Sequence, residues 1–185
     1  TRRPCAEGNV TPSPSYLDKI RDVPDFPKPG IVFKDITPLL ADVHAFMEAI
    51  EDLVTGVRGL KPTHVAGVES RGFLLAGPMA ERLGVGVIPL RKPGKLPCEI
   101  WQEDYSLEYG EATLEIHRDA CGPTDRVIVV DDLLATGGTA SASVSLIRKT
   151  GAEVVAACFV VELEFLGGRK RLHGIEIHSL VGVKE

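Results

Sequence analysis

The chain has 185 residues, of which 44% are hydrophobic and 25% charged, and its net charge is −5. This length suits one full domain with a sizeable core and is short for two. A net negative chain has no overall basic field that would attract nucleic acid or a membrane surface, so we expect neither as a partner. A polyanionic ligand would need a local basic cluster or a bound metal ion.

The sequence contains no clear disulfide, membrane or secretion signal. Its four cysteines, Cys5, Cys98, Cys121 and Cys158, are scattered without C-x-x-C spacing, so we expect free thiols in a reducing compartment. No apolar run reaches the about 18 residues of a membrane span, and the start TRRPCAEGNVTPSP lacks the apolar middle of a signal peptide. We therefore predict a cytoplasmic protein in which residues 1–12 form a loose N-terminal arm.

The first predicted elements come before residue 60. Residues 15–23 (SYLDKIRDV) have the periodicity of a short amphipathic helix, and residues 25–38 contain three prolines, which predict an irregular but ordered loop. Asp42 is a typical N-cap for a helix that ends near Val57. Its predicted apolar stripe consists of Val43, Phe46, Met47, Ile50 and Val54.

Strands and helices alternate along the rest of the chain. Strands are predicted at 63–69, 85–91, 112–117, 127–131, 153–163 and 175–181, and helices at 72–83 and 138–149. This alternation predicts an α/β fold with a mainly parallel central sheet flanked by helices, formed by a single domain over residues 1–185. The 175–181 strand is expected at an edge.

Ligands of such sheets bind beyond the carboxyl ends of the strands, where this sequence places GVESRG, PLRKPGK and VVDDLLATGGT. In the last segment, ATGGT (residues 135–139, the phosphate loop) joins a strand to a helix. Its glycines let backbone N–H groups curl around an anion at a helix N-terminus, and Thr136 and Thr139 add hydroxyl donors. A tight turn whose glycines serve only packing would have the same sequence.

Asp131 and Asp132 stand directly before the phosphate loop, although carboxylates repel phosphate. Two acids at the end of a buried strand are costly unless something binds them, and they suit a metal ion or the 2′- and 3′-hydroxyls of a ribose. A ribose 5-phosphate would satisfy the loop and the acids together. Because successive strand residues point to opposite faces, a regular strand would let one acid reach the sugar while the other holds a neighbouring loop.

The stretch VIVVDDLLATGGT resembles the phosphoribosyl-pyrophosphate (PRPP) motif of type I phosphoribosyltransferases. Over residues 15–185, the segments FPKPGIVFKDITPLL, ESRGF, RKPGKLP, YSLEYG and VVELEFLGG further resemble, in order, the adenine phosphoribosyltransferase family. The resemblance implies a type I phosphoribosyltransferase fold with a small N-terminal hood (about 13–40) and a flexible lid loop (about 92–111). It also implies a homodimer that makes AMP and pyrophosphate from adenine and PRPP in purine salvage, with Mg²⁺ carried by PRPP and no metal ligand from the protein.

The resemblance also assigns PRPP-binding residues. The residues assigned to binding the ribose and 5′-phosphate are Asp131, Asp132, Ala135, Thr136, Gly137, Gly138 and Thr139. The pyrophosphate falls to the Glu69-Ser70 backbone and to Arg71, Arg91, Lys92 and Lys95, whose cationic groups match phosphate oxygens. A basic trio such as Arg91, Lys92 and Lys95 is also typical of a solvated surface loop.

The predicted lid, residues 92–111, is a connection of about twenty residues without a helical signal, and loops of this length commonly close over active sites. It contains Tyr105 and Tyr109. The resemblance makes Glu108 the residue that accepts the N9 proton of adenine, a role that a carboxylate shielded by closure can perform. An exposed hairpin carboxylate is the alternative interpretation of Glu108.

The base site is expected from the hood. The resemblance implies that Phe33 stacks on the purine, that the backbone of Val32 and Lys34 reads its edge, and that Leu166 closes the far side. The Lys34 ammonium would instead suit a 6-oxo group if it turned inward, so a phosphoribosyltransferase for a 6-oxopurine or xanthine remains an alternative. A non-catalytic PRPP-binding regulator is another, whereas a dinucleotide-dependent oxidoreductase is disfavoured because no strand is followed by G-x-G-x-x-G.

Overall fold

A computed structural model describes residues 13–107 and 110–184 of the chain. The chain divides into two compact units, Thr1–Glu48 and Ala49–Glu185. The predicted N-terminal arm, residues 1–12, lies outside the described residues. No helix of the described part is long and apolar enough to cross a membrane. A cytoplasmic location stays a prediction from the sequence.

The first unit contains a short antiparallel pair of strands, β1 (Arg21–Pro24) and β2 (Val32–Asp35). A 3-10 helix (Ser15–Lys19) precedes the pair, and α1 (Thr37–Ala41) follows it. The predicted helix over 15–23 is therefore wrong beyond residue 19, and the predicted loop over 25–38 is wrong where it contains β2. Both errors have one cause, since each strand exists through its pairing with the other.

Helix α2 (Val43–Val57) begins at the predicted N-cap. The Asp42 carboxylate accepts hydrogen bonds from the backbone N–H groups of His44 and Ala45, each at 3.1 Å. The predicted stripe is correct for Ile50 and Val54, which are buried, and wrong for Val43 and Met47, which are exposed. The buried face consists of Ala45, Ala49, Ile50, Leu53, Val54 and Val57.

The second unit is built on a five-stranded sheet in which every neighbouring pair is parallel. In spatial order, its strands are β4 (Gly86–Leu90), β3 (His64–Val68), β7 (Arg126–Leu134), β8 (Glu153–Leu163) and β9 (Glu176–Val183). Helices α3 (Arg71–Leu83) and α4 (Gly138–Lys149) connect strands of this sheet. The predicted parallel α/β fold is confirmed, including the edge position of β9.

The central strands are apolar because both faces of the sheet are covered. Val127 to Val130 in β7 are fully buried, as are most residues of β8. Cys158 in β8 is a free thiol whose pKa burial raises to about 12. Cys98 and Cys121 are also free, as expected, and Cys5 lies outside the described residues.

Strands β5 (Ile100–Leu107) and β6 (Gly110–His117) form a separate antiparallel pair that packs on α4. The Lys149 ammonium at the end of α4 donates to the Gln102 carbonyl at 2.6 Å and pairs with Glu103 at 2.5 Å. Strand β5 thus occupies residues 100–107 of the predicted lid loop (about 92–111), where the sequence predicted no strand. The role of this segment as a lid stays a prediction. The predicted 112–117 strand exists but pairs with β5 instead of the central sheet.

Candidate active site

The predicted phosphate-binding segments meet at the carboxyl ends of the strands of the parallel sheet. Residues 69–71 follow β3, residues 91–95 follow β4, and the phosphate loop follows β7. Because these strands are neighbours and parallel, their carboxyl ends open on the same side. The tertiary structure thus brings together three segments that are up to about 65 residues apart in sequence.

The phosphate loop ends at α4 with an open helix N-terminus. Gly137 has φ +81°, a left-handed conformation that favours glycine, and no side chain of the described residues caps the helix. The first N–H groups of α4 are therefore directed at the loop, where an anion would accept their hydrogen bonds. Thr136 and Thr139 are half-buried beside them.

The β5–β6 pair reaches this loop. A methyl group placed on Gly138 would lie 2.7 Å from the Ser106 carbonyl oxygen and 3.5 Å from the Tyr105 ring. Only a glycine allows this close approach. Tyr105, predicted in the lid, is thus beside the phosphate loop, whereas Glu108 and Tyr109 lie outside the described residues.

The two adjacent acids have different environments, because β7 continues through both. Asp132 is buried and forms an ion pair with Arg71. Asp131 is less buried and accepts the Asp132 backbone N–H at 2.9 Å, with one carboxylate oxygen close to Gly72. Partial burial of this carboxyl and the charge of Asp132 raise the pKa of Asp131 well above its usual value.

Glu69 organises the predicted pyrophosphate cations. Its carboxylate pairs with Lys95 and accepts hydrogen bonds from Arg91 Nε at 3.2 Å and from the Lys92 backbone N–H at 2.9 Å. The hydrogen bond from Lys95 is the main cause that lowers the pKa of Glu69 to about 2. Lys92 and Ser70 have exposed side chains, and the Glu69–Ser70 peptide is cis.

Two further groups hold the 91–95 segment and were not predicted from the sequence. Buried Glu115 accepts the Gly94 N–H at 3.0 Å, and its backbone exchanges two hydrogen bonds with Arg91 at 2.7 and 2.9 Å. The Arg91 guanidinium also lies 5.7 Å from the centre of the Phe73 ring. The alternation in LEIH places Glu115 on the face opposite Leu114 and Ile116, so no sequence signal indicated its burial.

The predicted purine residues of the hood lie on β2. Phe33 packs edge-to-face on Phe26, with ring centres 5.3 Å apart, and Val32 is exposed. The Lys34 ammonium binds the Asp22 carboxylate at 2.6 Å. In the second unit, Leu166 is exposed in a 3-10 turn (Glu164–Leu166) just after β8.

Comparison with known proteins defines the class. The chain matches the phosphoribosyl transferase domain over residues 34–173. The adenine phosphoribosyltransferase of Methylococcus capsulatus is 59% identical over 163 residues, which are 88% of this chain and 95% of that protein.

Solved structures agree with this class. The adenine phosphoribosyltransferase of Thermoanaerobacter pseudethanolicus superposes with a TM-score of 0.88 at 52% identity, covering 91% of this chain and 98% of that one. The Saccharomyces cerevisiae enzyme was solved in complex with an imino-altritol bisphosphate and adenine. It superposes with a TM-score of 0.85 at 36% identity, covering 89% of this chain and 96% of that one. The chain is therefore built as a phosphoribosyltransferase. It belongs to the adenine phosphoribosyltransferase family.

Proposed function

We propose that the protein transfers the 5-phosphoribosyl group of magnesium-bound PRPP to N9 of adenine, giving AMP and pyrophosphate in purine salvage. One observation carries the proposal: an open helix N-terminus, an acid pair and a cation cluster lie at the carboxyl ends of three adjacent parallel strands. These are the groups that the three parts of PRPP require. Mg²⁺ enters with the substrate, whose phosphate oxygens are the hard ligands that it prefers.

Each part of PRPP has its own group of residues. The 5′-phosphate binds the N–H groups of the phosphate loop, and the ribose diol donates hydrogen bonds to Asp131. Arg91 and Lys95 bind the pyrophosphate, which takes over from Glu69 as their anionic partner. Glu69 thereby keeps the two cations close to their working positions before substrate arrives.

The reaction replaces one bond at the anomeric carbon of ribose. The N9 lone pair forms the new bond as the pyrophosphate oxygen leaves with the electrons of the old one, through a state with oxocarbenium character. Arg91 and Lys95 stabilise the charge that develops on the leaving group. Glu108, which follows β5 in sequence, accepts the N9 proton.

The hood favours a 6-amino purine. The Lys34 ammonium, which could donate to a 6-oxo group, is already paired with Asp22 in an exposed ion pair. Backbone carbonyl groups of the 32–34 segment can accept hydrogen bonds from the 6-amino group of adenine. The adenine found in the yeast relative is consistent with this assignment.

A homodimer is the proposed assembly. Leu74 on α3 and Val87 on the edge strand β4 are both about half exposed, and contact with a second copy would bury them. Light scattering should give a mass of twice 19.9 kDa. A mass of 19.9 kDa at micromolar concentration would exclude the dimer.

A competition assay tests the activity. Purified protein with Mg²⁺ and PRPP is supplied with equal concentrations of adenine, hypoxanthine and guanine, and the three nucleotide products are quantified. We expect AMP to be formed far faster than the other two. Comparable rates would overturn the assignment of adenine, and the absence of any nucleotide would overturn the assignment of an enzyme.

A further inference from the structure

An ion pair between a buried glutamate and a half-exposed arginine lies behind the phosphate loop, outside the groups to which a substrate contact has been assigned. Glu162 is the penultimate residue of β8 and is 3% exposed. The Arg169 guanidinium binds both carboxylate oxygens of Glu162, with Nε donating to Oε1 at 2.5 Å and Nη2 to Oε2 at 2.6 Å. The Ser179 hydroxyl on β9 donates to Oε2 at 2.8 Å.

This geometry fixes Arg169 to two strands at once. Its third nitrogen, Nη1, donates to the Ile177 carbonyl on β9 at 3.3 Å. Burial would raise the pKa of Glu162, but the hydrogen bonds from Arg169 and Ser179 outweigh it and hold that pKa below its usual value. A planar guanidinium held bidentately is more rigid than a single ionic contact, because rotation about either bond breaks the other.

Arg169 belongs to a short 3-10 turn, Gly168–Arg171, and the backbone of that turn touches the phosphate loop. A methyl group on Gly137 would lie 2.6 Å from the Gly168 carbonyl oxygen. A methyl group on Gly168 would lie 2.3 Å from the Ala135 carbonyl oxygen and 3.1 Å from the Gly137 nitrogen. The two backbones therefore meet without any side chain between them, so a shift of the turn must move the loop.

We propose that the Glu162–Arg169 pair is a positioning device that sets the shape of the phosphate loop and thereby its affinity for the 5′-phosphate of a phosphoribosyl ligand. The inference rests on the proposed function for the identity of the ligand but not for the identity of the base. Neither residue touches the substrate. The pair holds the turn against β8 and β9, and the turn supports Ala135 and Gly137 from behind.

The test uses ribose 5-phosphate, which needs the phosphate loop, and pyrophosphate, which needs the cations of residues 91–95. Dissociation constants of both ligands are measured for the wild type and for Glu162→Gln, which keeps the side-chain shape and removes the charge. We expect about tenfold weaker binding of ribose 5-phosphate, which corresponds to about 1.4 kcal/mol, and unchanged binding of pyrophosphate. In turnover, KM for PRPP should rise more than kcat falls.

The matched control is Glu153→Gln. Glu153 lies at the opposite end of β8 and also pairs with an arginine, Arg126. This pair lies at the amino ends of β7 and β8, away from the phosphate loop. This variant should bind ribose 5-phosphate as the wild type does. Arg169→Lys keeps the charge but loses the bidentate fork, so it should give an intermediate loss.

Several outcomes would overturn the positioning role. These are unchanged ribose 5-phosphate binding in Glu162→Gln, equal weakening of both ligands, or the same loss in Glu153→Gln. If Glu162→Gln does not fold, the dissociation constants of Arg169→Lys for ribose 5-phosphate and pyrophosphate test the positioning role instead. Base specificity does not enter the measurement, so a wrong assignment of adenine would leave this result interpretable.

Discussion

Arg71 and Asp132 form an ion pair that joins the segment after β3 to the end of β7. Asp132 is 4% exposed, whereas its neighbour Asp131 is partly buried. The strand is continuous through both acids, and the ion pair with Arg71 is formed by Asp132. One acid therefore holds a neighbouring loop, and we assign the sugar to the other.

This division predicts different effects for two otherwise equal substitutions. Asp131→Asn should weaken ribose 5-phosphate binding up to about tenfold, since a hydrogen bond contributes roughly 0.5–1.5 kcal/mol. Asp132→Asn should instead lower the free energy of unfolding by about 1–3 kcal/mol, because a buried partner of Arg71 is lost. Calorimetric titration and urea unfolding measure the two quantities. Asp119→Asn, in an exposed turn, is the control, and equal loss of binding in Asp131→Asn and Asp132→Asn would contradict the division.

The lowered pKa of Glu69 predicts how its contribution to stability depends on pH. A carboxyl whose folded pKa is about 2, against 4.5 ordinarily, stabilises the fold fully above pH 4.5 and loses that contribution as the pH falls to 2. The difference in unfolding free energy between wild type and Glu69→Gln should thus be constant from pH 7 to about pH 5 and shrink below it.

Denaturant titrations at several pH values measure that difference. Glu99→Gln, at a highly exposed glutamate, is the control and should stay within about 0.5 kcal/mol of wild type throughout. A Glu69→Gln difference that stays the same down to pH 3 would show that the cations do not hold Glu69 charged.

Gly137 and Gly174 have similar backbone angles, so alanine substitutions at the two positions distinguish the effect of backbone strain from that of steric contact. Gly137 has φ +81° and Gly174 has φ +74°, but only Gly137 faces a backbone oxygen within 3 Å, while a methyl group on Gly174 meets nothing within 4 Å. Alanine should cost about 1–2 kcal/mol of stability at each position through the left-handed conformation. Gly137→Ala should also weaken ribose 5-phosphate binding, measured by titration, whereas Gly174→Ala should not. Equal binding by the two variants would mean that the loop tolerates displacement.

Glu108 is predicted to act in the chemical step. Glu108→Gln should lower kcat by roughly 10²-fold or more, the usual contribution of a general base, with little change in PRPP affinity. Pre-steady-state rates with saturating PRPP and adenine measure the step directly. Glu111→Gln, at an exposed position of β6, is the matched control. Wild-type kcat in Glu108→Gln would remove the residue from the mechanism.

Local patterns in the sequence were sufficient wherever an element is stabilised by its own apolar periodicity. Helix α4 and strand β8 have the predicted bounds, and α3 ends at Leu83, before Gly84, whose φ of +70° stops the helix. Strands β1, β2 and β5 were missed because their sequences are polar or rich in proline. They are strands only because another segment pairs with them, and pairing is not visible in either segment alone.

The sequence by itself determined the α/β architecture, the phosphate loop and the acids before it, because apolar periodicity and glycine content act within a few residues of chain. Only the tertiary structure decided which acid pairs with Arg71, since Arg71 comes from another strand end, 61 residues away from Asp132. It likewise placed Glu69 among Arg91 and Lys95, and Glu162 under Arg169. These pairings depend on which strands are neighbours, because two charged side chains that are distant in sequence can form an ion pair only when the sheet places them next to each other.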